Sequence, residues 1–537
     1  MKHNQAKVMI VGAGPAGMTA AMELARQGIP VRLIEKTAEP ATTSRAIGVQ
    51  ARTLELFEQR GIVDPMIARG NRGLAGSIYD GGKRIFRLDF SHLDSKYNYM
   101  LFISQAETEA ILRDALAKLG VRIERELELH ALSQSDRGET ITSVLKHRDG
   151  SLESATFDYM IDTEGAHSIA RTTLGLHFEG KMLDESYALG DLYLEGDLPE
   201  TEFHIFSSKY GFMGLFPMGG GRFRIIASNP INKPSKDTAP SLDELQQIYN
   251  QRSHIPVRFH DMGWSSWFRI NSRMVERLRS GRVFLGGDSS HIHSPAGAQG
   301  MNTGIQDMIN LSWKLALVVK GQATPRLLDT YNDDRIPVIR NVLTKTEGLT
   351  GAIGSENPIF RSVFSHIAPW IASTEFVQEN STERMSQLSL NYRESPLSLA
   401  DSRPGEIHAG DRIPDMPLVQ LSKPGEDAHE TPTSLFRLLN PNKFTLLYTN
   451  IASPEKTQEQ VQSLLSPWKH LVQGYHVSRT QENERVFKHV FGTDPAILLI
   501  RPDSYLAFTG SEHSVPALAK YLEHWFPTQP QSTPKEN

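Results

Sequence analysis

The chain has 537 residues, with 57 Lys and Arg against 62 Asp and Glu, and a formal net charge of −5. This length favours several domains and excludes a single small module. Positive and negative charges are nearly balanced, and no long run of basic residues occurs in the sequence. Both features argue against nucleic-acid binding. The absence of cysteine excludes disulfides, Cys-ligated zinc, iron–sulfur clusters and thiol catalysis.

The N-terminal residues do not resemble a cleavable signal segment, and no apolar run reaches the roughly 18 residues needed to cross a membrane. We therefore expect a soluble cytoplasmic protein without a membrane partner.

The first motif is a glycine-rich turn between two short apolar segments. Residues 7–11 predict a strand, residues 12–17 read G-A-G-P-A-G, and a helical run ends at Gly28. A second predicted strand at residues 31–34 is followed by Glu35. Strand, glycine-rich turn, helix, strand and acid in this order predict a dinucleotide site. The motif alone does not decide between NAD and FAD.

The next segments give weaker signals. Arg45 precedes a predicted helix and is, from its residue type alone, more readily explained as a solvated loop charge than as a cofactor clamp. Residues 74–90 predict a hairpin, and residues 106–119 a helix capped by Ser104 or Gln105. A strand at residues 157–162 is followed by T-E-G at 163–165. These residues could form an outer layer of the cofactor site, or they could be only a turn.

Residues 176–272 are rich in short aromatic strands and predict a separate sheet inserted into the nucleotide domain. Such a sheet could cover an aromatic substrate, or it could be purely structural. Arg222 and Arg224 alternate along one strand, so they should share one side, and a solvent-facing side is favoured.

A third motif, at residues 280–321, combines a short strand at 283–285 with Gly286-Gly287-Asp288, a Gly- and Pro-rich loop and a helix beginning near Gly300. An acid at a strand end can bind a polyol, while a helix N-terminus directs N–H groups at negative charge. This segment therefore predicts a second seat for a cofactor. The predicted apolar face of the helix consists of Met301, Ile305, Met308, Ile309, Ser312, Leu315, Ala316 and Val319.

These patterns predict an α/β protein with a Rossmann-like nucleotide domain at residues 1–175 and 273–390, which includes a helical region. An α+β substrate domain at 176–272 interrupts it, and a Ser/Pro-rich linker at 391–405 leads to a last domain at 406–537. In this last domain, apolar strands predicted at 444–448 and 496–500 flank an amphipathic helix near 458–471, and a final helix is predicted at 515–525.

Three separated motifs resemble those of the class A flavoprotein aromatic hydroxylases, whose fold is that of para-hydroxybenzoate hydroxylase. They are G-A-G-P-A-G at 12–17, T-E-G at 163–165 and G-G-D-S-S-H-I-H-S-P-A-G-A-Q-G-M-N-T-G-I-Q-D at 286–307. The C-terminal segment resembles the thioredoxin-like domain of the phenol hydroxylase, pentachlorophenol monooxygenase and polyketide or rifamycin hydroxylase branch. Without cysteine it cannot act as a thioredoxin, so we expect a structural or oligomeric role, for example in a homodimer.

The resemblance implies tightly bound, non-covalent FAD and a transient reductant, NADPH or NADH. It places cofactor contacts at Gly12, Gly14, Ala16, Gly17, Glu35, Lys36, Arg45, Gln105, Leu129, Thr163, Glu164, Asp288, Gly300, Met301 and Asn302.

The implied roles divide along the cofactor. The glycines near the N-terminus would approach the pyrophosphate, Glu35 the adenosine ribose, and Arg45 and Gln105 the pyrophosphate and ribityl region. Leu129 and Thr163 would lie beside the adenine, Asp288 beside the ribityl chain, and the backbone of Met301 and Asn302 beside the flavin N1–O2 edge. Glu164 replaces the aspartate usual in the family, which puts its network and its reductant contact in doubt.

The resemblance also implies a mechanism in which reduced flavin and O2 form a C4a-hydroperoxide that hydroxylates an aromatic or polycyclic phenolic compound. Pro295 would lie in the loop beside it. His291 and His293 lack a third ligand in the pattern, so no metal is expected. The alternatives are a flavin oxidoreductase of the same fold that does not hydroxylate, and a non-catalytic FAD-binding protein.

Overall fold

The computed structural model describes residues 6–42, 46–80, 82–135, 138–228, 238–293, 298–353, 381–420, 431–449, 461 and 463–528. Arg45 and Pro295, two of the expected site residues, lie outside these ranges.

In the first part of the chain, runs of strands are separated by helices. The strands are, in chain order, β1 (Val8–Val11), β2 (Val31–Glu35), β3 (Gly48–Val49), β4 (Asn71–Gly73), β5 (Ala75–Asp80), β6 (Lys83–Asp89), β7 (Met100–Phe102), β8 (Ile123–Arg125), β9 (Leu127–Gln134), β10 (Ile141–His147), β11 (Leu152–Phe157), β12 (Tyr159–Asp162), β13 (Phe178–Gly196), β14 (Glu202–Ser208), β15 (Gly211–Gly219), β16 (Arg222–Ser228), β17 (Val257–Val275), β18 (Arg279–Ser280), β19 (Val283–Leu285), β20 (His291–Ile292), β21 (Leu399–Ala400), β22 (Pro417–Gln420), β23 (Thr431–Ser434), β24 (Phe444–Thr449), β25 (Val472–Val477), β26 (Ala496–Ile500) and β27 (Leu506–Ser511).

The α-helices are α1 (Pro15–Arg26), α2 (Ala51–Gln59), α3 (Val63–Arg69), α4 (Gln105–Lys118), α5 (Ile169–Thr173), α6 (Leu242–Arg252), α7 (Gly300–Val319), α8 (Thr330–Ile353), α9 (Leu435–Leu438), α10 (Glu484–Phe491) and α11 (Val515–Trp525). Within the described ranges, no helix is both long enough and apolar enough to span a lipid bilayer.

A six-stranded sheet in the order β18-β19-β12-β1-β2-β8 forms the nucleotide domain. Strand β1 pairs in parallel with both β2 and β12, and β12 pairs in parallel with β19. The fully buried sequence V-M-I-V of β1 is what a strand covered on both faces requires. The Rossmann-like sheet expected from the sequence is confirmed, and its strand ends bring the first and third motifs to one edge.

An eight-stranded sheet in the order β20-β17-β13-β16-β15-β14-β5-β6 lies beside it. It contains the predicted aromatic strands, but β5 and β6 come from the earlier hairpin, and the 19-residue strand β17 was not predicted. The alternation of apolar and polar residues within each segment predicted the strands. It did not show that the hairpin and the aromatic strands, which are far apart in the chain, share one sheet. The domain boundaries themselves stay predictions.

The C-terminal sheet has the order β21-β27-β26-β24-β25. Strand β24 pairs in parallel with β25 and antiparallel with β26, which pairs antiparallel with β27. This is the arrangement of a thioredoxin-like sheet. The predicted strands β24 and β26 and the final helix α11 are observed, and the helix predicted near 458–471 lies partly outside the described residues.

The expectation for the two arginines of β16 is half right. Both Arg222 and Arg224 approach Asp191, so they do share one side of the sheet. The solvent-facing interpretation is wrong for Arg224, which is 1% exposed and donates from Nε and Nη2 to the Asp191 carboxylate at 2.6 and 2.8 Å. A buried carboxylate on the neighbouring strand β13, invisible to a local pattern, accounts for the difference.

Candidate functional site

A cavity of about 1210 Å³ lies between the nucleotide sheet and the eight-stranded sheet. One end is formed by the β1–α1 turn, the end of β2, Leu129 in β9 and the turn after β12; we call it the adenine end, because the family resemblance predicts the adenine there. The other end is formed by Gly286, Gly287, Asp288 and the first residues of α7; we call it the flavin end, because the resemblance predicts the flavin ring there. The volume exceeds the roughly 300–1,000 Å³ of ordinary ligand pockets, so a dinucleotide and a second ligand could share it.

Glu35 is held in a fixed orientation at the adenine end. Its Oε2 accepts from the backbone N–H of Ala13 at 2.9 Å, and its Oε1 accepts from the N–H and hydroxyl of Thr37, both at 3.0 Å. Thr163 lies across from it and donates its hydroxyl to the Val11 and Gly12 carbonyls at 2.8 and 2.9 Å. These bonds tie the ends of β1, β2 and β12 together around the cavity.

The three motif glycines have different surroundings. A Cβ on Gly17 would lie 1.9 Å from the Gly12 carbonyl oxygen, and Gly12 has a φ of +95° with its own Cβ position 2.4 Å from the Thr163 oxygen. A Cβ on Gly14 would meet no described atom within 4 Å, and Gly14 lines the cavity. Gly12 and Gly17 are therefore required by packing, whereas Gly14 leaves open space at the start of α1.

The N-termini of α1 and α7 both open into the cavity. Within the described part of the chain, no side chain caps either helix by a hydrogen bond, and neither first turn carries an acidic residue. Pro15 and Ala16 line the cavity at the start of α1, and Gly300 and Met301 line it at the start of α7. Uncapped helix N-termini are suited to anionic ligand groups, because their N–H groups and dipoles favour negative charge.

Asn302 differs from its neighbours in α7 because its side chain is turned inward. Its Nδ2 donates to the carbonyls of Gly48 and Ala298 at 2.9 and 2.8 Å, and its Oδ1 accepts from the N–H of Gln50 at 3.0 Å. The side chain thus ties the start of α7 to strand β3. Its backbone contact to the flavin stays a prediction.

The donor and acceptor set fits FAD. Two open helix N-termini suit the pyrophosphate and the N1–O2 edge of the flavin, and Glu35 and Asp288 place carboxylates at the two ends for hydroxyl groups. Of the expected contact residues, the structure brings these together on the cavity lining: Gly12, Gly14, Ala16, Glu35, Lys36, Gln105, Leu129, Thr163, Glu164, Asp288, Gly300 and Met301. Gly17 and Asn302 pack behind the lining.

Glu164 lies at the adenine end with an altered acidity. Burial, together with the nearby Asp162 carboxyl, raises the pKa of Glu164 to about 8. Its Oε2 nevertheless accepts from the N–H groups of Ile169 and Ala170 at 3.0 and 3.3 Å. The longer side chain that replaces the usual aspartate therefore reaches the first turn of α5 and favours a protonated carboxyl near neutral pH.

The eight-stranded sheet contributes an apolar wall to the cavity. Tyr187 and Phe268 stack with their ring centroids 5.3 Å apart and form a small cluster with Leu189 and Ile226. Further residues of this sheet on the cavity lining include Ser186, Phe203, Ile205, Phe212, Phe216, Ser228, Trp267, Arg269 and Asn271. We call all of these the sheet wall. The sequence predicted that this sheet could cover an aromatic ligand but did not identify the individual residues.

A buried polar group beneath the flavin end was not predicted. The Oδ2 of Asp307 lies 2.7 Å from Nε2 of His291 and accepts from the N–H of Gly287 at 3.3 Å, and Arg335 donates to Oδ1 at 2.7 Å. Burial opposes ionisation of Asp307, but the charges of Arg335 and His291 hold its pKa below the ordinary value. His291 thus serves as a partner of Asp307, and the described residues include no cluster of three or more potential metal ligands.

Residues 5–346 match the family model of the FAD binding domain, and residues 407–528 match that of the aromatic-ring hydroxylase C-terminal domain. The chain is 36% identical over 402 residues to 6-methylpretetramide 4-monooxygenase of Streptomyces rimosus, covering 73% of this chain and 71% of that protein. It is 30% identical over 521 residues to pentachlorophenol 4-monooxygenase of Sphingobium chlorophenolicum, covering 93% of each. The solved structure of an anhydrotetracycline hydroxylase from Streptomyces rimosus superposes with a TM-score of 0.78 at 27% identity, over 97% of this chain and 99% of that one.

Proposed function

Since the chain belongs to the FAD-dependent aromatic-ring hydroxylases, we propose that it hydroxylates an aromatic or polycyclic phenolic compound, using O2 and NADPH or NADH. The observation that carries the proposal is one cavity that joins two open helix N-termini to an aromatic sheet wall. The first feature suits FAD and the second suits a flat apolar ligand beside it.

Bound FAD, once reduced by NAD(P)H, would supply the oxygen chemistry through its C4a-hydroperoxide. The protein's residues would hold and orient the reactants. The first turn of α1 at Gly14 would receive the pyrophosphate, Glu35 the adenosine ribose and Asp288 the ribityl hydroxyls. The N–H groups at the start of α7 would stabilise negative charge on the reduced ring, and the sheet wall would exclude water.

The sheet wall supports a ligand of one or more flat rings. Its stacked pair, Tyr187 and Phe268, offers apolar ring surface, and Ser186, Ser228 and Asn271 offer a few polar atoms for orientation. The relatives act, by their names, on 6-methylpretetramide and pentachlorophenol. Phenols with one ring and phenols with several fused rings are therefore the first substrate classes to test.

The test is a screen of mono- and polycyclic phenols with purified protein, in which NAD(P)H oxidation is followed by absorbance and products by mass spectrometry. We expect a yellow, FAD-containing protein and a compound that accelerates NAD(P)H oxidation while gaining one oxygen atom. A colourless protein that takes up no FAD would refute the proposal. Oxidation of NAD(P)H that yields only peroxide across the panel would favour an oxidoreductase that does not hydroxylate.

A homodimer and a cytoplasmic location stay expectations from the sequence. Light scattering of the FAD-loaded protein would measure the first, and cell fractionation the second.

A further inference from the structure

The hairpin turn between β26 and β27 of the C-terminal domain is buried against the nucleotide domain. Arg501 and Asp503 are each 2% exposed, although polar turns normally lie at the surface. Nη2 of Arg52, in α2, donates to the Asp503 carbonyl at 2.8 Å, so the turn is inserted between elements of the other domain.

The turn enters a ring of buried charges on α7 and α8. Nη2 of Arg501 donates to Asp334 Oδ2 and to Asp503 Oδ2, both at 2.6 Å. Lys314 donates to the same Asp334 oxygen at 2.7 Å, and Nδ2 of Asn310 donates to Asp334 and Asp503 at 2.8 and 3.1 Å. Each charged group of the ring therefore has an opposite charge beside it, and the ring binds both helices to the C-terminal turn.

A second set of bonds continues from this ring to the flavin end. Arg335 follows Asp334 in α8 and points to the N-terminal half of α7, where it donates to Asp307 Oδ1 at 2.7 Å and to the Thr303 carbonyl at 3.2 Å. Asp307 in turn holds His291 and the N–H of Gly287, one residue before Asp288. Every link between the C-terminal turn and the flavin end is thus a contact between buried groups or consecutive residues.

We propose that Arg501 and Asp503 are positioning residues for the flavin end. They hold α7 and α8 in one register, so that the start of α7 and the Gly287–Asp288 turn keep the spacing that the flavin requires. This gives the cysteine-free C-terminal domain a role in the redox properties of a site that it does not line. The inference rests on the proposed binding of FAD in the cavity and is independent of the substrate.

Directional bonds are needed here because the other face of α7 is apolar. Met301, Ile305 and Met308 pack on the nucleotide domain, and apolar contacts of this kind tolerate small sliding movements of a helix. A buried ion pair, by contrast, is satisfied in a narrow range of positions, and fixing register is the best-attested use of such groups. The polar contacts therefore determine where the N-terminus of α7 lies along its axis.

The test uses the full chain loaded with FAD and the double variant Arg501→Met/Asp503→Asn, which removes one cation and one anion and leaves Lys314 paired with Asp334. The matched control is Arg479→Met/Glu484→Gln, which removes a solvent-exposed ion pair from the same domain. For each folded protein, the FAD dissociation constant, the flavin absorption spectrum and the reduction midpoint potential are measured.

We expect the buried-pair variant to bind FAD about tenfold more weakly. Its midpoint potential should become more negative, because a displaced α7 stabilises the reduced flavin less. The control should match the unmodified protein in all three measurements. The single variant Arg501→Lys, which keeps the positive charge, should lose less FAD affinity than the double variant, and its midpoint potential should shift less.

A buried-pair variant with lowered thermal stability but unchanged FAD affinity, spectrum and potential would overturn the inference and leave a merely structural role. If the double variant does not fold, Asp503→Asn alone is measured by the same three readouts. Weaker FAD binding with a more negative potential in that variant supports the inference, and unchanged values overturn it. Failure of the unmodified protein to bind FAD would instead refute the proposed function.

Discussion

Gly14 and Gly17 lie in the same motif, but a side chain would meet different surroundings at the two positions. Gly17 has a backbone oxygen in the space where a Cβ would be, whereas Gly14 has φ −74° and ψ −178°, which any residue adopts, and open space beside it. A glycine at position 17 is thus required for packing, with or without a ligand. A glycine at position 14 is required only if a ligand approaches the start of α1.

This difference predicts separate outcomes for two alanine variants. Gly14→Ala should leave the melting temperature of the FAD-free protein unchanged and weaken FAD binding about tenfold, because its methyl group would occupy the pyrophosphate position. Gly17→Ala should lower both stability and FAD binding. Scanning calorimetry of the FAD-free protein and titration with FAD check this, and unchanged FAD affinity in Gly14→Ala would contradict the placement of the pyrophosphate.

The raised pKa of Glu164 predicts a pH dependence. Because the pKa of Glu164 is 4.5 in the unfolded chain and about 8 in the folded one, the carboxyl takes up a proton on folding between these two pH values. The stability that it contributes is complete below about pH 4.5 and is lost as the pH rises through about 8. Between these two pH values, the free energy of unfolding should therefore fall less in Glu164→Gln than in the unmodified protein. The expected difference is on the order of 1–2 kcal/mol.

Denaturant titration of the FAD-free protein at both ends of this window measures the effect. The glutamine keeps an acceptor for the Ile169 N–H, so local hydrogen bonding changes little. Equal losses of stability in the two proteins would show that Glu164 is ionised in the folded state at neutral pH.

At the scale of elements, helix α7 connects both halves of the site. A Cβ on Gly304 would lie 3.0 Å from Cα of Gly287 and 3.7 Å from Cβ of Ala16. The close approach of α7, the Gly287 turn and α1 therefore depends on three small residues. This contact sets the distance between the two open helix N-termini.

Gly304→Val should separate these elements and weaken FAD binding by more than about tenfold while the secondary structure is retained. Val319→Ala at the opposite end of the same helix is the control, because it costs only about 1 kcal/mol of packing and leaves the N-terminus unaltered. FAD titration and circular dichroism distinguish the two. Equal FAD affinity in both variants would mean that the close contact is not required for binding.

Across the whole molecule, the C-terminal domain completes the core of the nucleotide domain. Trp313 and Leu317 of α7 and Leu327 pack in one cluster with residues of the C-terminal sheet, and the Trp313 and Phe444 rings meet edge to face at 5.4 Å. The two matched family regions therefore share a core.

A chain ending at residue 396 should lose most of its soluble yield, because Trp313, Leu317 and the buried charges of α7 would face water. A chain ending at residue 528 is the control, since it keeps the complete cluster. Size-exclusion chromatography of both reports the outcome. A soluble, monomeric, FAD-binding fragment would contradict a shared core.

Local pattern predicted much of this architecture. The glycine motif with Glu35, the strand at 283–285 before Asp288, helix α7 and the C-terminal strands β24 and β26 are all encoded within windows of about 20 residues, where hydrophobic period and turn residues act directly. Of the fifteen cofactor contacts expected from these patterns and from the family resemblance, twelve line the cavity. Their contacts with the cofactor stay predictions.

The side chains that pack between distant segments could not be located in this way. Thr303, Asp307, Asn310 and Lys314 form a polar stripe on α7 that a helical pattern would assign to solvent, yet all four are buried by α8 and the C-terminal turn.

The sequence by itself determined the nucleotide-binding elements, because a turn or a helix start depends on neighbouring residues, whereas FAD was indicated by the family resemblance of the three motifs. The tertiary structure alone decided which sheet residues face the cavity, that Arg224 is buried, and that the C-terminal turn reaches α7. Those outcomes depend on contacts between segments far apart in the chain, such as Asn310 and Asp503, which are separated by 193 residues. The spacing of apolar residues within a short segment cannot predict a contact with so distant a residue.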